Sequence, residues 1–355
     1  MATSSPAIPE SAPEINRGWT LAQRIGFRLL FCYFALYLIL CWLFQEQLGG
    51  AAGLGLPGAK FILSVYSKLW APLVSWTGNR LFHPSQPIVF VPFGNSDGIY
   101  SYVQLLCFAV LACVVALAWA LADRKRTDYR RFHSWLMVGL RYALAFSMFE
   151  YGAVKVVDIQ FRPDLSFLQT TYGSFGPFSV LLAFMSYSRP YTFFAGAAEI
   201  LAGALLVFRR TATLGGLVAI VVLSNVVMLN FCYDWPEKLN SMHLLPMAAI
   251  VIAPDLRRLA NLLVLNRPTL AADLEHSAPS RWKTARLVAK SLVLIFMIAA
   301  VSAKNVALLA LKWFVRSPLY GIYRVEEFKR NGQPVLPLTT DTTRWKTMLT
   351  EQCAP

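Results

Sequence analysis

The stretch IYSYVQLLCFAVLACVVALAWALA, which is Ile99–Ala122, decides the class of fold. It contains no charged residue and is bounded by Asp97 on one side and Asp123–Arg124 on the other. A hydrocarbon core about 30 Å thick is crossed by about 20 helical residues. The stretch therefore predicts a membrane-spanning helix, and the uncharged stretch Thr211–Tyr233 meets the same length.

Five further apolar stretches bring the predicted number of spans to seven. Leu29–Gln45 and Leu239–Pro254 are shorter but have charged or polar ends. Three others are long enough but contain ionisable residues: Phe132–Val157, Pro190–Phe208 and Ser291–Leu311. Hydrophobic residues make up 56% of the chain and charged residues 15%, which is too apolar for a soluble protein of this length. We therefore expect an all-α membrane protein of about seven transmembrane helices.

Basic residues collect at alternate ends of these stretches. The clusters lie around Arg24, around Arg126, at Arg209–Arg210, and from Arg257 to Lys290. The positive-inside rule places such clusters in the cytoplasm. The N-terminus is then inside and, after seven crossings, the C-terminus is outside, as expected for a multi-pass protein of the bacterial inner membrane. This bias explains the formal net charge of +14 without nucleic acid as a partner.

The remaining segments are expected to connect the spans. Residues 1–23 predict a disordered cytoplasmic tail and 24–45 the first span. An external loop, 46–98, contains the amphipathic stretch Phe61–Phe82, which we expect on the membrane surface or over the bundle, kinked at Pro72. The other predicted units are the second helix with its cytoplasmic loop (99–131), a four-helix unit (132–259), a cytoplasmic linker (260–290), the last helix (291–312) and an external tail (313–355).

Two shorter patterns complete this organisation. Phe175–Ser188 is apolar but too short to cross, so it predicts a re-entrant or interfacial helix. If it did cross, every later orientation would invert. In the tail, Leu319–Phe328 alternates like a strand, KRNGQ is typical of a turn, and 335–338 could pair back as a β-hairpin.

Part of the chain resembles a known family. RYALAFSMFEYGAVKVV and the stretch that begins at Pro190 resemble the DoxX-like membrane proteins. The shared features are a Gly-x-x-Lys (Gly152–Lys155), a Glu in the next span (Glu199), and a short basic loop (Arg209–Arg210). The resemblance covers about 136–259 and implies a four-helix unit in a longer form with an external loop and an abbreviated external tail. It also implies a link to quinone-dependent membrane redox complexes.

Polar residues inside the predicted spans are the candidates for a functional pocket. Ionisable groups in lipid cost several kcal/mol unless they are paired or hydrated, so they face the bundle interior. The pocket candidates are Glu150, Lys155, Glu199, Asn225, Asn230, Asp234 and His243. Glu199 has no basic residue within one turn of its own span, so we expect it to meet Lys155 or water. The alternative is a polar core that only fixes the register of the helices, in which Asn225 forms a hydrogen bond between two helices.

The residue types limit the chemistry. An Asp, a His and a Tyr near the lipid boundary can bind a quinone head group or relay its protons. A single His beside a carboxylate is a poor metal ligand set, so no metal is expected. Six cysteines without a Cys-x-x-Cys argue against a disulfide relay.

The leading hypothesis is an integral subunit that supports a membrane redox process. It would do so by binding quinone, or by anchoring another membrane or external redox subunit. A protein that transports a small solute or a lipid-linked molecule is the first alternative, and an assembly scaffold without ligand is the second. The pattern assigns no catalytic residue and leaves open whether the protein is an enzyme; membrane lipid is a partner in each case.

Overall fold

The computed structural model describes residues 19–47, 57–90, 97–126, 128–269, 283–314, 316–336 and 342–352. The tail predicted for 1–23 and the middle of the linker predicted for 260–290 lie outside these ranges for the most part. Within these ranges, five helical segments are long and apolar enough to cross a membrane: Leu21–Leu43, Ile99–Ala122, Arg189–Val207, Ala212–Cys232 and Lys238–Leu263. The chain is a helical integral membrane protein.

The described elements follow each other along the chain as helices with a short β-rich end. The helices are α1 (Leu21–Leu36), which continues as a π-helix (Tyr37–Gln47), α2 (Pro57–Leu69), α3 (Ala71–Phe82), α4 (Ile99–Ala122), α5 (Arg130–Val156), α6 (Leu165–Gln169), α7 (Pro177–Tyr187), α8 (Arg189–Val207), α9 (Ala212–Cys232), α10 (Lys238–Ile252), α11 (Leu256–Leu263) and α12 (Lys283–Phe314). The strands are β1 (Arg316–Arg324), β2 (Lys329–Arg330), β3 (Gln333–Pro334) and β4 (Thr347–Gln352).

Two of the seven predicted spans are not among the five apolar candidates. They correspond to α5 and α12, which carry ionisable residues within the helix: Arg141, Glu150 and Lys155 on α5, and Lys304 on α12. Hydropathy alone therefore supports five spans. The two charged helices nevertheless pack against each other and against the rest of the bundle.

Four helices form a closed ring in the core. Helix α5 packs against α8, α8 against α9, α9 against α10, and α10 against α5. The fully buried side chains at the centre are aliphatic residues and methionines from these helices: Leu140, Leu144, Met148, Leu206, Leu223, Leu244 and Met247. The core is thus built from the part of the chain that the sequence predicts as one unit.

The amphipathic stretch 61–82 forms two helices rather than one kinked helix. Helix α2 ends at Leu69 and α3 begins at Ala71, because Pro72 fits the first turn of a helix but not its interior. The pair packs along α4: Tyr66 accepts a hydrogen bond from Gln104 at 2.6 Å, and Trp70 stacks on Phe108 with ring centroids 5.4 Å apart. At 1.5 Å per residue, the α2–α3 junction lies about 13 Å along α4 from its first residue.

The stretch 175–188 forms a short helix. Helix α7 has 11 residues and is followed directly by α8 at Arg189. Eleven residues extend about 17 Å, which is less than the thickness of the hydrocarbon core. The structure therefore agrees with a segment too short to cross.

The β-rich end differs in part from the predicted hairpin. Strand β1 pairs antiparallel with β4, whereas a separate two-residue hairpin joins β2 to β3 and is extended by the Val335 N–H, which donates to the Phe328 carbonyl at 2.8 Å, so that 335 pairs back onto 328 as predicted. Asn331 and Gly332 both have positive φ, which is the backbone of a tight hairpin turn. The turn was thus correctly located by its Asn-Gly. The partner of β1 was not, because turn chemistry specifies only local pairing and β4 comes from further along the chain.

Candidate functional site

A buried ion pair joins α5 to α8. Lys155 Nζ lies 2.8 Å from each carboxylate oxygen of Glu199, and the two side chains are 8% and 3% exposed. The helices can approach this closely because Gly152 faces Gly196. A Cβ on either glycine would come within 2.6 Å of the other's carbonyl oxygen. Small residues at a helix crossing are the usual way for membrane helices to bring their backbones together.

The pair lines a cavity of about 360 Å³ between α8 and α9. Its polar lining residues are Lys155, Gln160, Glu199, Asn225 and Asn230. The rest of the lining is largely apolar or aromatic and includes Phe161, Leu181, Met185, Phe194, Val221 and Trp235. A mostly apolar pocket with a few convergent polar groups is the usual form of a small-molecule site.

One edge of the cavity faces outward between two candidate spans. Phe194 of α8 is 68% exposed and Val221 of α9 is 72% exposed, and both line the cavity. Val221 lies near the middle of α9 and Phe194 in the second turn of α8; in a membrane, side chains of spanning helices with this exposure contact lipid. The other side is closed by buried Phe161, Leu181 and Met185. The cavity therefore opens at the outer surface of these two helices, where the exposed Asn225 lies one turn from Val221.

Four of the seven candidates from the sequence meet in this cavity. They are Lys155, Glu199, Asn225 and Asn230. Asn230 is buried and also orders the turn after α9, because its amide donates at 3.0 Å to the Glu237 carbonyl and to the Ser241 hydroxyl. Asn225 lies five residues earlier on α9; it also lines the cavity but is exposed, on the side of the helix that carries Val221.

The structure does not bring Glu150 or Asp234 into the cavity. The Glu150 carboxylate accepts a hydrogen bond from Gln47 Nε2 at 2.9 Å and pairs with Lys304, so it ties the π-helix and α12 to α5. The side chain of Asp234 is 75% exposed and pairs with Lys238 in the turn between α9 and α10. Glu150 thus has a role in packing, and Asp234 a role in the turn.

His243 also lies outside the cavity, in the contact between α1 and α10. Its Nδ1 lies 2.6 Å from the Leu239 carbonyl oxygen, which can only accept, so the Nδ1–H donates there. The Tyr33 hydroxyl then donates to Nε2 at 2.7 Å. The ring stacks on Tyr37 at 4.2 Å between centroids. Both ring nitrogens are occupied, which fits a packed histidine that fixes two helices.

A hydrogen-bonded group beside the cavity is not indicated by the sequence. Tyr151 donates to the Glu237 carboxylate at 3.2 Å, and Tyr37 donates to Asn240 Oδ1 at 3.1 Å. Burial raises the pKa of Glu237 to about 6, while hydrogen bonds from Tyr151 and Asn240 act in the opposite direction. The nearby carboxylates of Asp97 and Glu150 raise it further. These residues come from four separate segments, so no spacing along the chain could reveal them.

Asp97 holds the start of α10. Its carboxylate accepts hydrogen bonds from the backbone N–H groups of Lys238 at 2.8 Å and Leu239 at 3.0 Å. Such groups at a helix N-terminus have no partner within the helix and require one from elsewhere. Asp97 thereby fixes the loop before α4 to the turn that forms one end of the cavity.

These features define a helical integral membrane protein with a lipid-facing cavity built around a buried Lys–Glu pair. The uncharacterized protein YwoB of Bacillus subtilis (strain 168) is 36% identical over 118 residues, which are 33% of this chain and 75% of YwoB. The chain belongs to the same family as YwoB. No family model matches it, and no solved structure matches it.

Proposed function

We propose that this protein supports a membrane redox process by binding a quinone in the cavity between α8 and α9. The observation that carries the proposal is the combination of a largely apolar opening between two candidate spans, in which Asn225 is the exposed polar residue, with a buried Lys155–Glu199 pair inside. A quinone has the matching chemistry, since its head group carries two oxygen acceptors and its tail is a hydrocarbon. The ammonium of Lys155 has three N–H donors, two of which Glu199 accepts; a carbonyl oxygen of the head group would replace the Tyr151 carbonyl, 3.4 Å from Nζ, as acceptor of the third.

The opening favours a ligand that arrives from the membrane. Phe194 and Val221 offer apolar contacts to a tail, while the buried polar groups Lys155, Glu199 and Asn230 lie on the walls behind them. A water-soluble solute would have to enter past Phe161 and Trp235 instead, and Phe161 is only 5% exposed. The transport alternative is therefore less well supported than quinone binding.

The proposal includes a DoxX-like four-helix unit formed by α5, α8, α9 and α10. It is supported by the closed ring in which these helices pack and by the motif residues that meet at the ring, Gly152, Lys155 and Glu199. Helix α5 has 27 residues and packs along a candidate span, so we infer that it crosses beside α8. Helix α12 is tied to α5 by Lys304 and Glu150, and we infer that it crosses as well.

The proposed topology then has seven spans in a bacterial inner membrane, with the N-terminus inside and the C-terminus outside. The basic clusters at Arg124–Arg126 and Arg209–Arg210 support this orientation. Single cysteines placed near Arg126 and Arg210 should react only with reagents applied from the cytoplasm. A cysteine at Asn331 should react only from outside. Labelling of Asn331 from the cytoplasm would reject the seven-span arrangement.

The ligand is tested by purifying the full-length protein and measuring extracted quinone per protein by mass spectrometry. Ala198→Leu places a larger side chain in the cavity while keeping both residues of the ion pair, and it should lose bound quinone. Leu201→Phe is the matched control, because Leu201 lies on the same helix, is 54% exposed and does not line the cavity. It should retain quinone.

A second measurement uses a short-chain quinone added to the purified protein. A ligand at 100 times its dissociation constant stabilises the protein by about 2.7 kcal/mol, enough to raise the apparent melting temperature by a few degrees. Failure of both tests would reject the proposal. Recovery of another recurrent small molecule would favour transport, and recovery of a partner protein without any ligand would favour anchoring or assembly.

A further inference from the structure

Helix α11 has two chemically distinct faces. It follows α10 through a short 3-10 turn, Ala253–Asp255. Leu256, Leu259, Ala260 and Leu263 recur at the spacing that places them on one side of a helix. Arg257, Arg258 and Asn261 occupy the opposite side. Such a division is typical of a helix that lies at a boundary between an apolar and an aqueous phase.

The apolar face is not covered by the described protein. Leu256 is 52% exposed and Leu263 is 68% exposed, and the two residues that follow, Val264 and Leu265, are 78% and 50% exposed. A contiguous exposed patch of aliphatic side chains marks a surface that contacts another apolar phase. Here the bundle itself spans a membrane, so that phase is adjacent.

Further arginines surround the start of the helix. The hydroxyl of Thr213, at the first turn of α9, donates to the Asp255 carboxylate. This contact places the loop Arg209–Arg210, which directly precedes α9, beside the start of α11. The Asp255 carboxylate itself lies 3.9 Å from Arg258 Nη1. Arg257 and Arg258 lie in the first turn of α11, and Arg267 follows the helix along the chain.

We propose that α11 lies in the head-group layer of the membrane and, with the Arg209–Arg210 loop, binds the head groups of anionic phospholipids. The leucine face would rest on the acyl chains, and the arginine face would contact phosphate oxygens, for which the guanidinium group has the matching geometry. A bilayer with anionic lipid satisfies both faces of the helix at once. A nucleic acid would match the arginines only and leave the leucines in water.

This inference does not depend on the ligand of the cavity. The two sites use different residues, since α11 and the Arg209–Arg210 loop do not line the cavity. Loss of anionic-lipid binding and loss of quinone binding can therefore be observed separately in the same preparation.

The test reconstitutes the full-length protein in nanodiscs of phosphatidylcholine with phosphatidylglycerol. The ratio of the two lipids that remain with the protein after detergent exchange is measured by mass spectrometry. A basic residue near an anionic surface contributes about 1 kcal/mol, which corresponds to about a fivefold preference. Arg257→Gln/Arg258→Gln should therefore reduce the preference for phosphatidylglycerol by about 25-fold, and salt should reduce it in the wild type.

The matched control is Arg324→Gln/Arg330→Gln, which removes the same charge from the exposed β1 and β2 strands. It should leave the lipid preference unchanged. Equal preference in the Arg257/Arg258 variant and the wild type would overturn the proposal, as would the absence of any preference in the wild type.

The orientation of the helix is checked with a nitroxide at Leu263→Cys in a protein whose other cysteines are replaced. The label should be protected from a water-soluble relaxation agent and accessible to oxygen. A label fully accessible to the water-soluble agent, or one protected only by a co-purifying protein, would contradict the proposed position in the head-group layer.

Discussion

Replacing one residue of the Lys155–Glu199 pair should destabilise the folded protein far more than replacing both. The two nitrogen–oxygen distances are 2.8 Å and both side chains are almost fully buried. At an effective dielectric constant of about 20, two unit charges at that distance attract with about 6 kcal/mol, most of which offsets the cost of taking both out of water. Lys155→Met or Glu199→Gln alone leaves one buried charge without its partner. We expect each to destabilise the protein by about 3–5 kcal/mol.

The double variant Lys155→Met/Glu199→Gln removes both charges together. Because no charge is left unpaired, its stability should lie within about 1 kcal/mol of the wild type. The coupling energy from the double-mutant cycle would then amount to several kcal/mol, well above the error of such measurements. The assay is unfolding of the purified protein in mixed micelles with increasing dodecyl sulfate, followed by loss of helical circular dichroism.

The Glu150–Lys304 pair provides the control cycle. Its side chains are 16% and 36% exposed, so solvent and lipid head groups can replace the lost partner. Glu150→Gln and Lys304→Met should therefore show a smaller coupling energy, about 1 kcal/mol or less. If the effects at Lys155 and Glu199 are additive, or if either single variant is as stable as the double, the pair does not stabilise the folded protein and the reasoning fails.

Three further predictions follow from the contacts described above. Gly196→Ala should destabilise the protein by about 1–3 kcal/mol, because its Cβ meets a backbone oxygen, whereas Gly139→Ala, whose nearest neighbour would be 3.7 Å away, should be neutral in the same unfolding assay. The apparent melting temperature should fall as pH rises from about 4.5 to about 6, since the folded state retains the proton of Glu237 more tightly than the unfolded chain, and Glu237→Gln should abolish this step. A nitroxide at Leu69, which is 76% exposed at the α2–α3 junction, should be more accessible to oxygen than to a water-soluble relaxation agent. Greater accessibility to the water-soluble agent would place the junction outside the bilayer.

The sequence predicted the class of fold because hydropathy and length are local properties. Ile99–Ala122 forms one helix with the bounds read from the sequence, and the break of the α2–α3 stretch lies beside Pro72. Asn331–Gly332 forms the expected turn for the same reason. Each of these features depends on residues within one segment, so no knowledge of packing is needed to find it.

The candidate site could be predicted only in part, since it depends on how helices are rotated against each other. The need of Glu199 for a buried partner follows from the cost of an unpaired charge, and this requirement identified Lys155. The cost argument applies equally to Glu150, but it does not reveal that the partner of Glu150 is Lys304 on a distant helix. The polarity of a residue in a span predicts that it faces the interior of the bundle, but it does not show whether the residue lines the cavity or lies in a contact between helices.

The glycine crossing connects the ion pair to the cavity. Lys155 lies one turn beyond Gly152, and Glu199 lies one turn beyond Gly196, so the distance between the charges is set by how closely these two glycines approach. Any residue larger than glycine at the crossing would push α5 from α8 and draw Lys155 away from Glu199. It would also displace one wall of the cavity, because both charged residues line it. The Gly-x-x-Lys pattern thus has a physical basis: the glycine supplies the close approach that the lysine requires.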